Sequence, residues 1–142
     1  MSKIIWFDDR HAFGEYNNSI DVFKTNGYEV IPVSDLNLNS FLKGIADNTI
    51  LPENIACLIL DMSWKGNTPR EGFFAKYGIA VGMELYEKLM KSSFKKAKTI
   101  VYTITEDEDV KSFCKKYGIL YLCKETYFGS IFVSRVIQEI KQ

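Results

Sequence analysis

Five short apolar runs, separated by amphipathic stretches, limit what this 142-residue chain can fold into. They are Lys3 to Phe7 (KIIWF), Tyr28 to Val33 (YEVIPV), Cys57 to Leu60 (CLIL), Thr99 to Thr103 (TIVYT) and Ile119 to Cys123 (ILYLC). Short continuous apolar runs of this kind read as strands buried on both faces, the habit of parallel sheets. Between them, apolar residues recur at helical spacing: Tyr16, Ile20 and Phe23, then Leu38, Phe41, Leu42 and Ile45, then Val81, Leu85 and Leu89. Val110, Phe113, Cys114 and Tyr117 make a fourth stripe, and Ile131, Phe132, Val136 and Ile140 a fifth. Strands alternating with helices, joined by right-handed crossovers, predict an α/β fold of the flavodoxin-like, doubly wound kind: a five-stranded parallel sheet with helices on both faces. Pro32 suits a sheet edge, and the first run looks central, so the expected strand order is 2-1-3-4-5. Asn17, Asn18 and Ser19 offer caps for the first helix, and Gly27 and Gly118 offer stops.

The length suits one domain over residues 1–142 with a proper core. Lysine plus arginine and aspartate plus glutamate number 18 each, so no bulk field argues for nucleic acid or an anionic membrane as a direct partner. No apolar run approaches the roughly 18 residues of a membrane span, and the start lacks a signal-peptide pattern. Cys57, Cys114 and Cys123 lack metal-ligand spacing and sit in apolar patterns, as buried thiols of a cytoplasmic protein would. One segment, about 62–80, has no clear periodicity and reads as an extended loop. Its Trp64, Phe73, Phe74 and Tyr77 are too apolar to stand free in water and are expected to form a lid over the site, a partner-docking patch or a structural insertion without a function of its own.

Four of the strand ends carry polar groups: Asp8 and Asp9 on the first, Asp61 on the third, Thr103 on the fourth and Lys124 on the fifth. In open α/β sheets ligands bind outside the carboxyl ends of the strands, and the expected order sets these ends side by side. Three crowded carboxylates repel, and uncompensated they would force a proton onto one of them. A hard divalent cation such as Mg²⁺ takes oxygen ligands of this type, and Lys124 supplies a second, compact positive charge. With the Thr103 hydroxyl, the set is suited to receiving a phosphoryl group on an aspartate carboxylate. His11, the one histidine, has no second histidine or cysteine to support a transition metal and reads as a surface-loop residue.

The acidic pair after the first strand (IIWFDD), the aspartate ending the third (LILDM), the threonine ending the fourth (IVYT) and the lysine ending the fifth (YLCK) together resemble the receiver domain of two-component response regulators, across nearly the whole chain. The resemblance implies that Asp61 is the phosphoacceptor, that Asp9 binds Mg²⁺ directly and Asp8 through water, and that the Ser63 carbonyl completes the metal site. It implies that Thr103 and Lys124 bind phosphoryl oxygens, and that Tyr121 is a switch aromatic working with Thr103. Ser63 and Thr105, two residues beyond Asp61 and Thr103, stand where the family tunes phosphoryl lifetime. A histidine kinase or phosphotransfer protein would supply the phosphoryl group. Without an attached output domain in these residues, the signal would pass to a downstream protein partner, and a homodimer through the fourth helix and fifth strand is a further implication. No dedicated enzyme is expected beyond Mg²⁺-dependent self-phosphorylation and autodephosphorylation at Asp61.

Three departures accompany the likeness. Glu125 follows Lys124 where the family usually has a cis-bonded proline, and a cis bond before a non-proline residue costs about 3 kcal/mol. The family's proline shortly after the phosphoacceptor is missing, and the connection from Asp61 to Gly82 is longer by roughly a dozen residues. These departures support a rival reading, a phosphorylation-independent interaction module. A hydrolase of the haloacid dehalogenase type would want a second aspartate where Ser63 stands, and a flavodoxin-type cofactor binder would want a hydroxyl- and glycine-rich loop where Asp8 and Asp9 stand.

Overall fold

The five apolar runs become five parallel strands: β1 (Ser2–Phe7), β2 (Tyr28–Val33), β3 (Ile55–Leu60), β4 (Thr99–Thr103) and β5 (Leu120–Cys123). A computed structural model describes residues 1–64, 79–104 and 106–142. The helices are α1 (Asn17–Thr25), α2 (Leu38–Ala46), α3 (Ile79–Met90), α4 (Glu108–Tyr117) and α5 (Gly129–Ile140), with a 3₁₀ turn at Asp9–Phe13 that periodicity did not signal. The strand order is β2-β1-β3-β4-β5, as the sequence predicts, with Pro32 on the edge strand. No helix among the described residues is long and apolar enough to cross a membrane.

Side chains alternate across the sheet with a period of two, and this sorts the core into two layers. Ile5, Phe7, Leu58 and Leu60 pack against Leu38, Leu42 and Ile45 of α2 and Val81, Leu85 and Leu89 of α3. Ile4, Trp6, Cys57, Ile59 and Tyr102 point the other way, onto Phe23 of α1 and Phe132, Val133 and Val136 of α5. On the α4 side a smaller cluster gathers Met62, Val101, Val110 and Cys114. The three cysteines are buried and unbridged, and burial pushes the Cys114 thiol up to about 11.

The N-cap of α1 differs from expectation, while Gly27 follows the helix end at φ 90° as expected. Tyr16 occupies the N-cap without a side-chain cap to the helix backbone, and Asn17, Asn18 and Ser19 all fall inside the helix. A turn over Gly14–Tyr16 leads into the helix, the Asn17 N–H donating to the Gly14 carbonyl at 3.3 Å. Asp107 does cap α4, accepting from the Asp109 N–H at 2.7 Å, and Gly118 closes that helix in the left-handed conformation at φ 65°.

The parallel register carries the strand ends into line. Phe7 pairs with Leu60 and Leu60 with Val101, while Thr103 pairs with Cys123. Beyond the strands, backbone bonds extend the ladders by one residue: Asp8 N–H to Val33 O, Asp61 N–H to Phe7 O and Lys124 N–H to Thr103 O, each 2.9 Å. The residue after three of the five apolar runs is thereby tied into the ladder. Those residues are Asp8, Asp61 and Lys124.

Candidate phosphoacceptor site

Each acidic residue reaches the site by a separate local device. Asp8 follows β1 in extended conformation and caps the 3₁₀ turn, its Oδ1 accepting from the Arg10 N–H at 2.9 Å. That bond commits one oxygen and leaves Oδ2 to face Lys124. Asp9, first residue of the turn, is buried, and Asp61 is buried at the end of β3. Asp8, Asp9 and Asp61 each offer a carboxylate oxygen, and the three oxygens lie within 4.8 Å of one another. This is an all-oxygen donor set of the kind a hard divalent cation takes. Asp61 Oδ1 is buried without a hydrogen-bond partner among the described residues, an orphaned acceptor that a bound cation would satisfy. The donor set fits such an ion.

Lys124 approaches from β5. Its Nζ lies 2.7 Å from Asp8 Oδ2 and 3.5 Å from Asp61 Oδ2, so one ammonium bridges two carboxylates. Burial works against its charge, yet Asp61 and Asp8 outweigh burial and raise its pKa above the ordinary value. Burial also raises Asp8, against the opposing pull of Lys124. Asp61 is pushed up to about 7, first by burial and then by the Asp8 charge, with Lys124 and the nearby Thr103 hydroxyl pulling it down. Thr103 itself is fully buried, and among the described residues its Oγ1 completes no hydrogen bond of proper geometry. Its hydroxyl stands beside Asp61 and favours the ionised carboxylate.

A cleft of about 620 Å³ opens over this cluster, lined by Asp9, Asp61, Ser63 and Lys124 and walled by Tyr16 and Phe128. The structure thus brings together six of the residues singled out from sequence: Asp8, Asp9, Asp61, Ser63, Thr103 and Lys124. Tyr121 stands apart, partly buried against the Met62–Val101–Val110–Cys114 cluster on the α4 side. The Lys124–Glu125 bond is trans, no cis peptide occurring among the described residues. Thr105, Phe73, Phe74 and Tyr77 lie outside the described residues, and with them most of the expected extended loop.

Two expectations need correction. Trp64 is neither lid nor docking patch: it is fully buried in the core layer of α2 and α3, and its indole N–H donates to the Asp61 carbonyl at 2.7 Å. A buried indole needs an acceptor, and the strand end beside it provides one. His11 is no free surface residue. Its ring packs edge-on against Trp6, with centroids 4.7 Å apart, and against Tyr16 at 5.2 Å. Burial and the Lys124 charge lower its pKa to about 4, so the imidazole is neutral at pH 7.

The sequence reading also missed residues. Tyr16 and Tyr102 present their rings to the Lys124 ammonium, at 5.2 and 5.6 Å from the centroids. No linear motif marks them, because three different elements supply the contact. Gly82 enters the sequence reading only as the end of the connection from Asp61. A Cβ there would come within 2.8 Å of the Asp61 carbonyl oxygen and would collide with Met62. Glycine therefore lets α3 seat directly against the strand end that carries the phosphoacceptor candidate.

No protein-family model matches the sequence, and no curated protein matches it. Solved structures do match it. The non-phosphorylated HemR receiver domain from Leptospira biflexa superposes with a TM-score of 0.67 at 16% identity, covering 100% of this chain and 96% of that one. A CheY-like response regulator receiver domain protein from Methanospirillum hungatei gives 0.68 at 18% identity over 99% and 94%. The response regulator TrrA from Thermotoga maritima, solved in complex with Mg²⁺-BeF, gives 0.62 at 19% identity over 99% of each chain. The chain is similar to these proteins in backbone along its whole length. It has the receiver-domain fold.

Proposed function

We propose that this chain is a response-regulator receiver that accepts a phosphoryl group on Asp61 in a Mg²⁺-dependent phosphorelay. The observation that carries the proposal is the cluster of three carboxylates within 4.8 Å bridged by Lys124, at the carboxyl ends of parallel strands in a receiver fold. Asp8, Asp9, Asp61 and the Ser63 carbonyl would hold Mg²⁺. When bound, the ion offsets the charge that crowds the site as a phosphoryl group arrives. An Asp61 carboxylate oxygen forms the bond to phosphorus, and the donor's P–N or P–O bond breaks with its electron pair leaving on the donor. The donor is the phosphohistidine of a kinase or phosphotransfer protein, or a small acyl phosphate. Lys124 and the Thr103 hydroxyl then meet two phosphoryl oxygens. Attack of water on phosphorus reverses the modification, releasing inorganic phosphate and restoring the carboxylate.

The acyl phosphate biases a conformational equilibrium through Thr103 and Tyr121, and the face formed by β4, α4 and β5 carries the output to a protein partner, its α4–β5 part also serving to pair with a second copy of the chain. Intact mass after incubation with acetyl phosphate, and separately with beryllofluoride, tests the site. A Mg²⁺-dependent gain of one phosphoryl in wild type, absent from Asp61→Asn, is the expected result. No adduct in either incubation would overturn it and leave a phosphorylation-independent interaction module as the reading. One observation favours that second reading: in this structure Lys124 sits closer to Asp8 than to Asp61.

A further inference from the structure

We propose that Tyr16 and Tyr102 are positioning residues for Lys124, their two rings forming an aromatic bracket that holds the ammonium between Asp8 and Asp61. The inference deepens the phosphoacceptor reading and rests on it for its catalytic consequence. The bracket itself is a matter of geometry. Lys124 Nζ lies 5.2 Å from the Tyr16 ring centroid and 5.6 Å from that of Tyr102, within the range in which a cation is drawn to an aromatic face. Both rings are braced from elsewhere. Tyr16 stacks on Trp6 with centroids 4.5 Å apart, and Tyr102 stacks on Phe132 at 3.7 Å with their planes 14° apart. Rings so held do not drift with the lysine.

The Tyr102 hydroxyl performs a second task. It donates to the Tyr127 carbonyl at 2.6 Å, tying β4 to the turn that follows Lys124. The same turn is closed by the Thr126 and Tyr127 N–H groups, which both donate to Cys123 O. Lys124 therefore emerges from a segment fixed on each side, with a trans bond to Glu125.

The physical need is specific to an ammonium with two neighbours. Hydrogen bonds to carboxylates are directional and favour one partner at a time, and here Asp8 at 2.7 Å has the advantage over Asp61 at 3.5 Å. Attraction to a ring face is broad in angle and distance. The bracket keeps the charge stabilised while it moves from Asp8 toward an oxygen bonded to Asp61. A leucine at either position would leave the walls apolar without the quadrupole, and the lysine would settle on Asp8 or swing into the cleft.

Tyr16→Leu, Tyr16→Phe, Tyr102→Leu and Tyr102→Phe test this, with circular dichroism and thermal melting to confirm the fold. Two readouts separate the bracket from the phosphoacceptor reading. The first is the rate of phosphoryl gain from acetyl phosphate across a Mg²⁺ titration, read by intact mass. The expected outcome is a rate about tenfold lower in each leucine variant with the Mg²⁺ midpoint unchanged, and recovery of most of that loss in Tyr16→Phe. Tyr102→Phe, which keeps the ring and loses the Tyr127 bond, should fall between. The second readout needs no phosphorylation: acetic anhydride labelling of Lys124 relative to exposed Lys91, read on peptides. It should rise several-fold in the leucine variants and little in the phenylalanine ones. Unchanged Lys124 labelling in the leucine variants, or equal effects of leucine and phenylalanine at position 16, would overturn the bracket. Wild type that gains no phosphoryl while labelling follows the expected pattern would overturn the phosphoacceptor reading and leave the bracket standing.

Discussion

Replacing Asp61 with asparagine should make the metal-free protein more stable at alkaline pH and change how its stability depends on pH. Asp61 is buried beside Asp8, and its carboxyl rises from the ordinary 3.8 to about 7 on folding. The folded state then holds a proton that the unfolded chain has released, throughout the window between about pH 4 and pH 7. Below the window both states are protonated and the group contributes no difference. Across it stability falls as pH rises, and above it the folded state bears the whole penalty of the buried charge. At about 1.4 kcal/mol for each tenfold change in acidity, the penalty reaches about 4 kcal/mol, of which about 3 kcal/mol accrues between pH 5 and pH 8. A domain of ordinary stability has about 5–15 kcal/mol in all, so the effect is large enough to measure directly.

Asparagine keeps the shape and cannot ionise. Urea unfolding in EDTA at pH 5, 6, 7 and 8 should show wild type losing about 3 kcal/mol relative to Asp61→Asn over that range. The residual slope in the variant belongs to Asp8, whose pKa is also raised by burial, and, with the opposite sign, to His11, which burial lowers to about 4. Adding Mg²⁺ at pH 8 should return stability to wild type by mass action, and return far less to the variant. A difference between the two proteins that stays flat within about 1 kcal/mol from pH 5 to pH 8 would refute the claim that Asp61 is folded at electrostatic expense.

Two further substitutions probe the supports of the same strand end. Trp64→Phe keeps an aromatic ring in the core and removes the donor to the Asp61 carbonyl, so urea unfolding should show a loss of about 1–3 kcal/mol for the buried, unpaired carbonyl. Gly82→Ala should lower stability by about 1–3 kcal/mol through overpacking against Met62 and the Asp61 carbonyl. It should also weaken Mg²⁺ binding, measured by titration calorimetry, because the strand end is displaced. Unaltered affinity with unaltered stability would mean that α3 yields at no cost.

Much of this architecture is legible in linear order because its causes are local. A buried parallel strand has to be apolar on both faces, so CLIL and IIWF declare themselves, and the alternation of strands with helical stripes leaves few topologies. The strand order was chosen on two hints, Pro32 at a position an edge tolerates and a first run that looks central. Asp8, Asp9, Asp61, Thr103 and Lys124 were legible for the same reason. The four charged residues stand at the ends of apolar runs, where an ionisable group has no packing reason to be, whereas Thr103 alone reads as an ordinary β-branched strand residue and takes its meaning from the others. Trp64, His11, Tyr16 and Tyr102 carry no such mark, since an aromatic residue in an aromatic-rich chain is ordinary wherever it falls.

The alternation of apolar runs dictated the sheet, its layers and the gathering of charged groups at one end, since those follow from the periods of strand and helix. Only the packed structure decided how those charges are held. The share of Lys124 between Asp8 and Asp61 depends on distances of 2.7 and 3.5 Å set by neighbouring strands. The rise of Asp61 toward 7 depends on burial beneath elements far away in sequence. The rings around Lys124 come from the start of α1 and the end of β4, brought together by register and by stacking on Trp6 and Phe132. Electrostatics and ring contacts act through space over a few ångströms, and spacing along the chain does not encode distance across a sheet.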